Sequence, residues 1–447
     1  MICLLPHCAY LSETSRMLEI HRALTELGVP ARVATHGGPH ERRLVEAGIQ
    51  YDVLGPGLSP TRSAAFVGSA IGLGDPRQSM YDDAEIRSYV QLEAEYFRAH
   101  GITVAVTGFT LTTLLSSRLA GVQVITEHAG SFVPPVFERR LLPAPSQPVD
   151  PRLAHAPKWL SRYLANRAPN RIPAYCAGFN RVAESLGVEG IPSLSALLLG
   201  DLSLVPEVPE VLGISDLDAW TPAGKPGYRA TTRLTSVGPL FAHLDLPLPT
   251  RVQQVLDQPG PHVYLAMTST PAELVRSAIA SLATLDLRIL VAGTIHDLAD
   301  LATDRILIEG VLPSHLVMPQ VDLAITTGGQ GSVQTAMASG TPLLGIPLHL
   351  EQDLNIALVE RLGAARHLPP TQLSQLATLT TTMLNNTHHR PAPNTSKPST
   401  PPPTAPPKPP RRSPQNSGDL NHCREPPDLR CHRVGDLRFA PPRGRFI

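Results

Sequence analysis

The run Gly328-Gly329-Gln330-Gly331-Ser332 follows an apolar segment, residues 321–327, and precedes a helix-like run at 333–339. Strand, glycine turn and helix start together present bare backbone N–H groups, the arrangement by which α/β proteins hold phosphate. Gly340-Thr341-Pro342 closes the helix, since Gly suits the left-handed position past the last turn and Pro cannot continue it. Residues 343–347 read as the next strand, and Glu351-Gln352-Asp353 adds a polar cluster just beyond it. Carboxylate and amide supply the acceptors and donors that sugar hydroxyls need. A diphosphate and a polyhydroxylated ligand fit this set. A tight turn and nothing more would also account for the glycines.

The elements that must position these residues follow a β-α-β rhythm. Residues 2–5 read as a strand and 6–15 as a polar loop. Met17, Ile20, Leu24 and Leu27 then repeat at helical spacing up to Gly28. Strand-like runs at 31–35, 51–54, 102–106 and 122–126 alternate with helical patterns at about 39–47 and 111–119. This predicts a parallel, doubly wound sheet. Residues 134–230 are richer in Pro, and short helices are expected at 157–165, 174–186 and 192–199. After a Pro- and Leu-rich break the rhythm restarts with strands at 263–267, 288–292 and 306–309, a helix at about 271–285, and a last patterned helix through Leu354, Ala357, Leu358 and Leu362. The fold class expected is α/β, two Rossmann-like doubly wound domains facing across a cleft. The expected division is 1–237, a linker at 238–255, a second domain at 256–385 and a Pro-rich tail at 386–447. The tail composition is that of disorder.

The 447 residues suit two domains rather than one core. Lys plus Arg equal Asp plus Glu at 38 each, so charge argues for neither nucleic acid nor an anionic membrane as partner. No apolar run approaches the roughly 20 residues of a membrane helix, and the amino end lacks the pattern of a signal peptide. Cys3, Cys8, Cys176, Cys423 and Cys431 are scattered and odd in number, which favours reduced thiols and a cytoplasmic location.

Residues 306–367 resemble the signature region of the UDP-glycosyltransferase-like family, nucleotide-sugar glycosyltransferases acting on small molecules. The likeness runs from Gly310-Val311-Leu312-Pro313 through Thr327-Gly328-Gly329-Gln330-Gly331-Ser332 to Gly340-Thr341-Pro342 and Glu351-Gln352-Asp353-Leu354-Asn355. Weaker likeness covers most of 1–385. The resemblance implies the GT-B fold, with the acceptor on the amino half and the sugar donor on the carboxyl half. It puts Thr327, Gly328, Gly329, Gln330, Gly331 and Ser332 at the donor diphosphate, and Glu351 and Gln352 at the sugar hydroxyls. It implies a UDP- or dTDP-sugar as co-substrate, no further cofactor, no metal, and a small natural-product or lipid-like acceptor. Inverting transfer to a hydroxyl is the expected reaction. Thr327, Thr335 and Val311 stand where the family has a diphosphate-contacting His, a ribose-holding Glu and a base-stacking aromatic.

In the family a His after the first strand takes the acceptor's proton, and an Asp at the end of the fourth strand orients it. Their positions fall on Glu13 and near Gly108. Glu13 is read either as that base, since oxygen bases serve elsewhere, or as a carboxylate complementing a helix dipole. His7 is the second candidate base, or a loop histidine satisfied by its surroundings. The unmatched pair keeps open a non-catalytic nucleotide-sugar-binding homologue, and behind it an epimerase. His128, after the strand at 122–126, is placed to touch acceptor or sugar. His36 and His40 are two ligands, which do not make a metal site. His422-Cys423 and Cys431-His432 lie in the tail.

Overall fold

The computed structural model describes residues 1–69, 80–127, 130–147, 153, 155–173, 175–225, 228–244, 246–267, 270–293 and 296–385. The expected tail, His128, and the His-Cys pairs of the tail lie outside these residues.

Two parallel sheets carry the chain. The first has seven strands in the order β3-β2-β1-β4-β5-β6-β7. These are β1 (Ile2–Leu5), β2 (Ala31–Thr35), β3 (Asp52–Val53), β4 (Val104–Thr107), β5 (Gln123–Thr126), β6 (Leu202–Val205) and β7 (Arg233–Ser236). The second has six, in the order β10-β9-β8-β11-β12-β13. They are β8 (His262–Ala266), β9 (Arg288–Ala292), β10 (Ile306–Glu309), β11 (Leu323–Thr326), β12 (Leu343–Gly345) and β13 (Ala365–His367). Ladders are parallel throughout, for example Leu4 against Val106 and Ile325 against Leu265. Helices cover both faces, which is why central strands such as Leu323–Thr326 are apolar and buried end to end. In each sheet the strand order reverses beside the first strand of its half, and α/β sheets keep ligands outside the carboxyl ends of strands at such a point.

Several elements differ from the sequence expectation. The loop expected at 6–15 ends at Tyr10, and the helix Leu11–Glu26 begins there. Glu13 thus sits in a helical first turn, and three backbone N–H groups of neighbouring strand ends hold its side chain inward. The stretch 134–230 does contain helices, at Lys158–Ala165, Ala177–Leu186 and Leu194–Leu197, but also β6, with β7 just beyond it. β6 (Leu-Ser-Leu-Val) and β7 (Arg-Leu-Thr-Ser) lack the unbroken apolar run that marks strands such as β1 and β11. The helix expected from 333 begins at Gln330, directly after the glycine turn. Residues between β3 and β4, which carry no expectation, form helices Pro60–Gly68 and Asp83–Ala99. The second opens on a reciprocal capping box between Asp82 and Glu85.

One apolar cluster runs through both halves. It joins Val205, Val211 and Leu212 to Leu354, Ile356 and Leu358 of the helix Leu350–Arg361. Contacts across the halves are therefore apolar packing as well as hydrogen bonds. Among the described residues no helix is long and apolar enough to cross a membrane.

Candidate functional site

The glycine turn sits at the carboxyl end of β11, the strand paired with both β8 and β12. Gly328 has φ +85°, and a Cβ there would lie 2.5 Å from Ile356 Cδ1. Only glycine allows this bend and this approach. Gly329 and Gly331 differ: a Cβ at either would meet nothing within 4 Å. Gly329 is the cap of the helix Gln330–Ser339 and offers no capping side chain. Val333 donates its N–H to Gly329 O at 3.1 Å. The N–H groups of Gln330, Gly331 and Ser332 belong to the first turn, where a helix leaves donors without intrahelical acceptors and concentrates positive potential.

Side chains around the turn tie its parts together. Gln352 donates Nε2–H to Thr327 Oγ1 at 3.2 Å and accepts from Leu348 N–H at 2.8 Å. Asn355 donates from Nδ2 to Gly328 O and to Glu351 Oε1, each at 3.1 Å. Two links thus tie the expected donor residues of the turn to those of the helix: Gln352 to Thr327 directly, and Glu351 to Gly328 through Asn355. The spacing of four between Glu351 and Asn355 on one helix is the signal that could have singled Asn355 out. Gln330 turns its side chain the other way. Its Nε2 donates to Pro206 O at 3.2 Å, so it is the backbone of Gln330, not its amide, that faces the turn. Gln334 Nε2 donates to the same carbonyl. Thr335 Oγ1 donates to Gly331 O at 2.7 Å.

In the amino half β1 and β4 are neighbours, so the loops at their ends converge. Glu13 lies between them, 1% exposed. Its Oε2 accepts from His7 N–H at 2.6 Å, and its Oε1 from Gly108 N–H at 3.1 Å and Phe109 N–H at 2.9 Å. Burial pushes the Glu13 carboxyl up to about 8; the bond from Phe109 and the charge of Arg16 pull against this, and the charge of Glu127 adds to it. Arg16 and Glu127 did not stand out in the sequence. Arg16 Nε lies 2.8 Å from both Glu127 oxygens and donates to Oε1. Glu351 of the carboxyl half also helps to hold the Arg16 proton.

His7 is brought beside Glu13 but spends its ring elsewhere. The ring stacks on Phe66 with centroids 4.3 Å apart, and Nε2 lies 3.1 Å from the Tyr81 hydroxyl. Burial pushes it from 6.5 down to about 3, so the imidazole is neutral. His36 is likewise committed, with Nε2 2.8 Å from buried Glu93 and Nδ1 3.1 Å from Leu54 O. Among the described residues no group of three or more His, Cys, Asp or Glu is arranged to hold a metal ion. Cys3 and Cys8 are buried free thiols, and Cys176 is buried with its Sγ 3.4 Å from Ser193 O.

A family model described as UDP-glucoronosyl and UDP-glucosyl transferase matches residues 274–391. The chain is similar to a PGL/p-HBAD biosynthesis glycosyltransferase of Mycobacterium tuberculosis, 23% identical over 64% of this chain and 63% of that protein. It is also similar to a PGL/p-HBAD biosynthesis rhamnosyltransferase of Mycobacterium bovis, 26% identical over 62% of this chain and 59% of that one. The chain therefore aligns with less than two thirds of the length of these curated relatives. Among solved structures the glycosyltransferase VinC, in complex with dTDP, superposes with a TM-score of 0.56 at 14% identity, covering 86% of this chain and 91% of that one. Two parallel Rossmann-like sheets and this superposition show the GT-B fold, and residues 274–391 are similar to the UDP-glycosyltransferase family.

Proposed function

We propose that the protein is a glycosyltransferase that moves a sugar from a nucleotide-sugar donor to a hydroxyl of a small-molecule acceptor. The reading assigns residues 1–237 to the acceptor and 256–385 to the donor, joined by 238–255. The observation that carries it is the uncapped first turn at Gln330, Gly331 and Ser332, where nothing crowds Gly329 or Gly331. Those N–H groups and the Ser332 hydroxyl hold the diphosphate. Glu351, anchored through Asn355, and Gln352 take the sugar hydroxyls.

Glu13 is the base in this reading. The acceptor's proton passes to its carboxylate, the acceptor oxygen bonds to the anomeric carbon, and the carbon–oxygen bond to the diphosphate breaks with its electron pair. The helix end stabilises the charge that develops on the departing diphosphate. Direct displacement inverts the anomeric centre. Burial supports the role, because a carboxyl pushed up to about 8 is, once ionised, a stronger base than an ordinary carboxylate, and it is ionised from about pH 8 upward. His7 supports Glu13 through its backbone N–H. The donor is a UDP- or dTDP-sugar and the acceptor a natural-product or lipid-like alcohol or phenol, of the kind the names of the relatives suggest. The buried reduced thiols suit the cytoplasm.

Incubation with a panel of UDP- and dTDP-sugars and phenolic or polyketide aglycones, read by mass spectrometry, tests this. A glycosylated product that disappears in Glu13→Gln is expected. Binding of nucleotide sugars without product would leave a binding protein, and absence of both would remove the reading.

A further inference from the structure

Gly108 occupies a point on which two carboxylates close. A Cβ on residue 108 would lie 2.4 Å from Glu13 Cγ, 2.7 Å from Glu13 Oε1 and 2.7 Å from Glu127 Oε1. No side chain fits there, so an orienting partner for Glu13 cannot come from that residue. The next strand supplies one instead. Glu127 follows β5 directly, fixed by its N–H to Thr107 O at 3.2 Å. It is 1% exposed, and Arg16 is its counter-charge, from one turn along the helix that bears Glu13. Glu127 Oε2 is buried and lies 2.8 Å from Arg16 Nε.

We infer that Glu127, with Arg16, is the positioning partner of Glu13: a carboxylate pair closed over Gly108 that sets when Glu13 holds a proton. The inference rests on the reading of Glu13 as base. With both carboxylates ionised, like charge raises the proton affinity of Glu13. Once Glu13 takes the acceptor's proton, the pair keeps a single negative charge on Glu127, and Arg16 balances it. The pair then returns the proton to solvent when the diphosphate leaves. Other groups around Glu13 act less directly. Tyr10 and Cys8 of the loop after β1 feel its charge, and Glu351 acts through Arg16. His7 is neutral and turned to Phe66 and Tyr81.

The test is a carboxyl 13C NMR titration of the full chain labelled at Glu, with the Glu13 signal assigned by its loss in Glu13→Gln. Glu127→Gln keeps shape and should lower the Glu13 midpoint by about one pH unit or more. Arg16→Gln removes the counter-charge and should move it upward. Where a transfer assay exists, the acidic limb of kcat/KM should follow the same two shifts while nucleotide-sugar affinity stays put. A Glu13 midpoint unmoved in both variants overturns the inference. Because the titration needs no substrate, it stands or falls separately from the glycosyl-transfer reading. Should Glu127→Gln not fold, Arg16→Gln alone decides between these outcomes.

Discussion

Ser146 holds both carboxylate oxygens of Asp353: its backbone N–H donates to Oδ2 at 3.0 Å and its hydroxyl to Oδ1 at 2.5 Å. Asp353 is 1% exposed and directly follows Gln352 in the candidate sugar site. His367, at the end of β13, brings Nε2 to 2.9 Å from the same Oδ1 and 2.8 Å from the Ser146 hydroxyl. A residue of the amino half is therefore tied to the helix that carries Glu351 and Gln352. Gln330 and Gln334 reach back to Pro206 O, which makes the tie two-sided.

Ser146→Ala removes a hydrogen bond to a buried carboxylate and should lower stability by about 1–3 kcal/mol. Denaturant unfolding measures it. Asp353→Asn should cost more, since it removes the charge that His367 and both Ser146 donors face. Equal stability of both variants and the parent would show that the tie does not hold the halves together.

The glycines of the turn should separate by role. Gly328→Ala forces a Cβ against Ile356 at φ +85°, and a loss of roughly 1–3 kcal/mol in stability is expected. Gly331→Ala meets no neighbour and sits in a helix, so folding should be kept. A branched residue at Gly331, such as valine, should instead weaken nucleotide-sugar binding in calorimetry. Binding unchanged by Gly331→Val would place the diphosphate elsewhere.

Glu13 sets the pH dependence of the proposed reaction. The base must be ionised, so kcat/KM should fall as pH drops through about 8. Glu13→Gln should abolish that limb and lower kcat by about 10²–10⁴. The stability sign is opposite to that of an ordinary carboxylate. The folded chain holds this proton more tightly than the unfolded one, so the contribution is complete below 4.5 and lost as pH rises through about 8. Glu13→Gln should therefore gain stability relative to the parent near pH 9, in thermal melts over that range.

His7 predicts a loss at the acid side. Its folded pKa lies near 3 against an ordinary 6.5, so its contribution is present above 6.5 and lost as pH falls toward 3. His7→Phe keeps the stack on Phe66 and should flatten stability across that window. A curve as steep as the parent's would assign the acid sensitivity to other groups.

Local chemistry was legible in the chain alone. Gly328 to Ser332 show their conformation because a strand end, a glycine bend and a helix start are successive in sequence and constrain one another. The alternation of apolar runs and helical spacings determined two parallel α/β sheets for the same reason. The helix Asp83–Ala99, which carried no expectation, opens on the capping box of Asp82 and Glu85, and β6 and β7 interleave polar residues with apolar ones and are recognisable only by the strands they pair with. Tertiary structure alone decided what surrounds Glu13. Arg16 is three residues away, but Glu127 and Gly108 come from strand ends about a hundred residues on, and no periodicity reports that they meet. It also decided that Gln330 spends its amide on Pro206 and that His7 is buried and neutral. Backbone geometry is set by neighbours along the chain. Proton affinity is set by burial and by charges that only folding brings together.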